Sequence, residues 1–154
     1  CRAKPASVRR RTRSGSSIVM PQPVLCVSAT TPSTFGQASS GSVPVTFTVT
    51  NGGGVSAQPS WWDLAYLSTD ATLDNADLGL TGYSTHTTAL APGASYTTTY
   101  TYVTPTATPA GSSALFVKAD GPGAAVAVGT NTDSGKVTES TEANNAVSVA
   151  VVLP

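Results

Sequence analysis

The residues best suited to chemistry in this sequence are oxygen donors. Asp63, Asp70, Asp74 and Asp77 gather in the stretch 63–77, and Glu139, Glu142, Asn144 and Asn145 gather in the stretch 139–145. Carboxylate and amide oxygens are hard ligands of the kind calcium collects, typically six to eight at about 2.3–2.6 Å. Calcium is therefore the candidate ion, with these eight residues as its candidate ligands. The spacing Asp-x-x-x-Asp-x-x-Asp is not that of an EF-hand loop, and Asp and Asn also shape turns by bonding their own backbone. At this level ion binding and turn chemistry both remain open.

A second candidate is the pair Trp61 and Trp62, which could form a platform for a sugar ring. The competing demand is the core, because β-sandwiches bury a tryptophan on their third strand. One ring is expected inside and one partly outside. The single histidine, His86, sits between Thr85 and Thr87 with no adjacent group to make it a general base or a metal ligand. No nucleophile elbow, zinc-binding pair or phosphate-cradling glycine loop occurs. Paired carboxylates are the residue type glycosidases use, but nothing else supports that chemistry. The chain is expected not to be an enzyme.

These residues must be positioned by strands. Charged residues make up 10% of the chain and aromatics 6%, and Ser, Thr, Gly, Ala and Val dominate, a composition of strands and turns. The clearest strand spans Ser42 to Asn51, where Val43, Val45, Phe47 and Val49 alternate with Pro44, Thr46, Thr48 and Thr50. Further strands are predicted over Val24 to Thr30, Trp61 to Thr69, Tyr83 to Leu90, Ser95 to Val103, Ser113 to Ala119 and Ala146 to Leu153. No stretch holds a helical apolar stripe for three turns. The expected class is all-β, an antiparallel β-sandwich of about seven strands. Gly121 to Gly135 reads as an exposed loop.

Charge is segregated along the chain. Of eight basic residues, Arg2, Lys4, Arg9, Arg10, Arg11 and Arg13 precede position 14, whereas every acid lies between Asp63 and Glu142. Residues 1–20 are expected to be a disordered basic arm or a remnant of a larger chain, and residues 21–154 the folded domain. Such an arm could release counterions from phosphates, so nucleic acid was weighed as a partner and set behind a solvated tail. The two cysteines, Cys1 and Cys26, could pair, with a buried free Cys26 as the default. No apolar run is long enough to span a bilayer.

Trp61-Trp62-Asp63-Leu64-Ala65-Tyr66-Leu67-Ser68-Thr69-Asp70, followed by Asp74 and Asp77, resembles the W-x-D-x-x-Y-L-S-x-D-x-x-x-D signature of the CARDB family, the cell-adhesion-related domain found in bacteria. Leu90, Pro92-Gly93 and Tyr96 resemble that family's L-x-x-G-x-x-Y turn and strand. Ala119-Asp120 resembles its "aD" ending, and Glu139 to Asn145 its E-x-N-E-x-N-N close. The resemblance covers roughly residues 23–153. Thr141 departs from the usual Asn, Ala114 and Leu115 stand where aromatics are common, and Gly121 to Lys136 is longer than the usual connection.

The resemblance implies an immunoglobulin-like sandwich, an extracellular setting and no catalytic residue. The resulting expectation is a structural or adhesive module of a bacterial surface or secreted protein, stiffened by calcium. Its partners would be neighbouring domains, or a cell-surface protein or glycan. The alternatives are a carbohydrate-binding module and an accessory domain of a secreted enzyme.

Overall fold

The structure is a computed structural model and describes residues 21–30, 41–70, 72–104, 111–121 and 135–153. The expected arm, residues 1–20, and most of the loop expected over 121–135 lie outside the described residues. Eight strands form two antiparallel sheets: β1 Leu25–Thr30, β2 Ser42–Asn51, β3 Trp61–Ser68, β4 Leu78–Gly79, β5 Ser84–His86, β6 Ser95–Val103, β7 Gly111–Gly121 and β8 Ala146–Leu153. One sheet runs β1-β2-β6; the other runs β4-β3-β7-β8, with β5 also paired to β3. This is the immunoglobulin-like sandwich that was expected, and no helix occurs among the described residues.

Three predicted elements are corrected. The strand expected over Tyr83 to Leu90 is only Ser84–His86, and Leu90 instead makes an isolated bridge to Ala57. The two-residue strand β4 was not anticipated, because it carries no periodicity to read. Strand β7 runs through Gly121, so that glycine is buried in the sheet and does not open an exposed loop.

The alternation in β2 places Val45, Phe47 and Val49 in the core and Thr46, Thr48 and Thr50 on the outer face. There the hydroxyls pair across to β6: Thr46 with Thr99 at 2.8 Å, Thr48 with Thr97 at 2.7 Å and Thr50 with Ser95 at 2.8 Å. Cross-strand pairs of this kind contribute a few tenths of a kcal/mol to about 1 kcal/mol each.

Strand β3 is buried on both faces. Trp61, Ala65 and Leu67 join the main core between the sheets with Leu25, Tyr102, Leu115, Val117 and Val151. Leu64 and Tyr66 point the other way and form a second cluster with Phe116 and Leu73. Leu73 belongs to the connection after β3, so the Asp-rich segment 69–77 folds back over that face as a lid. The chain enters β1 beside the start of β8, and β8 runs away to Leu153, paired with Gly111. Entry and exit therefore lie at opposite poles, separated by a strand length of roughly 25 Å at ~3.3 Å per residue.

Candidate metal centre

At the entry pole the end of β7 meets the segment that leads into β8. Asp120, the last acid of β7, has a positive φ of 58°, a conformation Asp tolerates better than most residues. The turned backbone aims its carboxylate at the chain returning from residue 135. Lys136 N donates to Asp120 Oδ1 at 2.8 Å, and Val137 N donates to Oδ1 at 3.0 Å and Oδ2 at 2.9 Å. Gly135 has a φ of +42°, and a Cβ there would overlap the backbone oxygen and carboxylate of Asp120. Only glycine lets the chain pass this close.

Glu139 and Glu142 complete the cluster. One carboxylate oxygen from each of Asp120, Glu139 and Glu142 lies within 4.8 Å of the others. Glu142 Oε1 accepts from Glu139 N at 3.2 Å, and its Oε2 accepts from Asn145 Nδ2 at 2.9 Å. Glu139 Oε2 accepts from Leu25 N at 2.7 Å. Asn144 Nδ2 donates to the carbonyl of Leu25 and, at 3.1 Å, to Cys26 Sγ.

What remains unpaired is of one kind. Glu139 Oε1, Asn144 Oδ1 and Asn145 Oδ1 are buried oxygens with no hydrogen-bond partner. All three are acceptors, and all belong to this segment. A buried acceptor left unmade costs about 1–3 kcal/mol. A water has only two protons to donate, whereas a single cation takes several oxygen ligands at once. Ligand oxygens on opposite sides of a calcium ion stand about 4.6–5.2 Å apart, twice the usual Ca–O distance. The three carboxylate oxygens here, all within 4.8 Å of one another, fit inside that span.

The electrostatics agree. Burial pushes the Asp120 carboxyl up to about 7 and the Glu139 carboxyl up to about 8, and in both cases the nearby Glu142 adds repulsion. Lys118 is fully buried, and burial lowers its ammonium to about 8 against the opposing pull of Asp120 and Glu142. One lysine against three carboxylates leaves the pole short of positive charge.

Of the remaining sequence-derived candidates, Asp63 stands beside Asp120, whose backbone and charge both act on it, whereas Asp70, Asp74 and Asp77 lie in the connection after β3. Asp70 Oδ1 accepts from Thr72 N at 2.7 Å, Asp74 Oδ1 from Ala76 N at 2.7 Å, and Asp77 Oδ2 from Asp74 N at 2.8 Å. These bonds shape the 69–77 segment that seats Leu73, and among the described residues no metal-capable group includes these three acids. Asp63 is fully buried, accepts from Tyr96 Oη at 2.8 Å on Oδ2, and leaves Oδ1 unpaired. Burial lifts its carboxyl to about 7.

Of the two tryptophans, Trp61 is completely buried and donates from Nε1 to Tyr96 Oη at 3.1 Å. Only Trp62 keeps an exposed part, and Lys136 Nζ stands 5.2 Å from its ring centroid. His86 stacks on Tyr96 at 4.0 Å, a packing role. Cys26 is disulfide-bonded, which corrects the expectation of a free buried thiol.

Asp120 was absent from the candidate ligands. Its signal was present in the sequence, since Asp120 is an acid at the end of an apolar strand, followed at once by Gly121, and is the acid of the Ala119-Asp120 pair that resembles the CARDB "aD" ending.

No protein-family model and no curated protein matches the sequence. Among solved structures, the chain is similar to the CARDB domain of the PF1109 protein from Pyrococcus furiosus in its solution NMR structure. The TM-score is 0.55 at 22% identity, over 87% of this chain and 97% of that one. It is similar to the same domain in a crystal structure described as a complex with di-metal ions, with a TM-score of 0.55 at 21% identity over 88% of this chain and 96% of that one. The shared feature is the fold, and the CARDB resemblance read from the motifs meets CARDB structures here. No helix of the described residues is long and apolar enough to cross a membrane.

Proposed function

We propose that this chain is a non-enzymatic module of a larger extracellular or surface protein, a β-sandwich spacer or adhesive unit stiffened by calcium at Asp120, Glu139, Glu142, Asn144 and Asn145. The observation that carries the reading is the set of buried acceptors, Glu139 Oε1, Asn144 Oδ1 and Asn145 Oδ1, beside three converging carboxylates. The ion would neutralise the repulsion and fill the empty coordination. The di-metal complex described for the similar PF1109 domain is consistent with metal binding in this fold.

Three features support the setting. A disulfide at Cys26 belongs to an oxidising compartment. Entry and exit at opposite poles suit a unit strung between neighbouring domains, which are its proposed partners. The solved structures similar to it in fold over most of both chains are CARDB domains, and the one histidine, His86, stacks on Tyr96 and lies 3.2 Å from Thr88 Oγ1. A glycan platform finds less support, because Trp61 is buried and Trp62 lies beside Lys136.

The test is a thermal melt of the full chain in excess chelator and again in calcium. Calcium at about a hundred times its dissociation constant adds ~2.7 kcal/mol to the folded state, which raises Tm by several degrees. Glu142→Gln removes one carboxylate and is expected to abolish most of that rise. A Tm indifferent to calcium would refute the reading.

A further inference from the structure

The acids at the entry pole do more than surround a space. Strand β1 is an edge strand: among the described residues it is hydrogen-bonded to β2 and to no other strand. The polar groups on the far side of an edge strand have no ladder to join and need other partners. At Leu25 those partners are side chains of the segment before β8. Leu25 N donates to Glu139 Oε2 at 2.7 Å, and its carbonyl accepts from Asn144 Nδ2. Two side chains thus stand in for a missing neighbouring strand.

These are the same two side chains whose other oxygens, Glu139 Oε1 and Asn144 Oδ1, have no partner. Each residue holds β1 with one atom and has a second, an oxygen acceptor, with no hydrogen-bond partner. A cation drawing on the free oxygens fixes the rotamers of both residues and so fixes the atoms that grip Leu25. Without it, the second oxygen of each side chain has no partner to fix its rotamer, and both side chains are freer to leave Leu25. The chain just before β1 is held separately: Val24 N donates to Asn51 Oδ1 at 3.2 Å, Gly52 N donates to Val24 O at 2.7 Å, and a Cβ on Gly53 would overlap the backbone of Gln22 to Val24. Those contacts reach β2 and involve none of the cluster.

We infer that the cation site is a clasp on the N-terminal strand, so that ion occupancy sets whether β1, and with it the connection to whatever precedes this domain, is locked to the sandwich. The inference rests on the cation site proposed above. Coupling of this kind is reciprocal, so docking of β1 raises cation affinity by the same factor that the cation raises docking. The consequence is a module that is rigid at its entry pole when calcium is abundant and hinged there when calcium is scarce.

Hydrogen exchange on the full chain tests it. Edge elements open locally, at lower free energy than the core. In chelator, peptides covering Leu25 to Ala29 should exchange faster than those of β2, β6 and β7. Calcium should slow β1 by at least about tenfold more than it slows those core strands. Calorimetric titration of the same sample with calcium separates the two ways to fail. No binding heat overturns the cation site itself. Binding that slows all strands by one common factor, or that leaves β1 unchanged, overturns the clasp and leaves the site standing.

Discussion

Glu139 uses its two carboxylate oxygens differently, one bonded to the backbone of Leu25 and the other without a hydrogen-bond partner. Asp70 and Asp74 spend theirs on their own turn, accepting backbone N–H groups two residues ahead. The eight acids and amides that look equivalent in the sequence thus divide into two populations, and the division has a measurable form. Replacing both Asp70 and Asp74 with Ala should lower stability by ~1 kcal/mol per lost turn or capping bond, equally in chelator and in calcium. The calcium-dependent rise in Tm should survive that double substitution. Turn acids and ligand acids share a composition, and only the position of the backbone around them tells the two apart.

At the level of elements, the cluster depends on how β7 ends. Asp120 in its left-handed conformation turns the carboxylate across to the returning chain, and Gly135 is the residue that lets that chain approach. Gly135→Ala should cost stability through both strain and overlap, and it should weaken calcium binding by displacing Asp120. Titration calorimetry on the variant, beside its chelator melt, checks both effects. The main strands were legible in the sequence because apolar residues alternate regularly in β2, β7 and β8 and β3 is a run of mostly large apolar residues. The short strands β4 and β5 were not, since two or three residues carry no period and their pairing with β3 is decided by tertiary contact. Half of the cluster was legible as the Glu139 to Asn145 run. Its other half, Asp120, sits nineteen residues before Glu139 in sequence, and only the pairing of β7 with β8 brings it there.

The whole molecule should report the buried acids through its response to pH. Burial raises the carboxyls of Asp63 and Asp120 to about 7 and of Glu139 to about 8 in the folded state. In the unfolded chain such groups titrate near 4. A raised folded value means the stability is fully present below about pH 4 and is lost as pH climbs through 7 to 8. The chelated protein should therefore melt at progressively lower temperature from about pH 4 to about pH 8. Lys118, lowered to about 8 by burial, acts in the opposite sense, but its window lies above that range. On the proposed reading calcium would bind the ionised carboxylates, so the gap between the melting temperatures in calcium and in chelator should widen as pH rises. Melting curves at unit pH steps in both conditions give the comparison.

The central claim is that the entry pole, not the Asp-rich segment after β3, holds the ion. A crystal structure of the full chain grown in calcium tests it most directly. The account predicts one ion about 2.3–2.6 Å from oxygens of Asp120, Glu139 and Glu142, with Asn144 or Asn145 Oδ1 also coordinated. An ion seated instead among Asp70, Asp74 and Asp77, or an entry pole that holds no ion in saturating calcium, would contradict it.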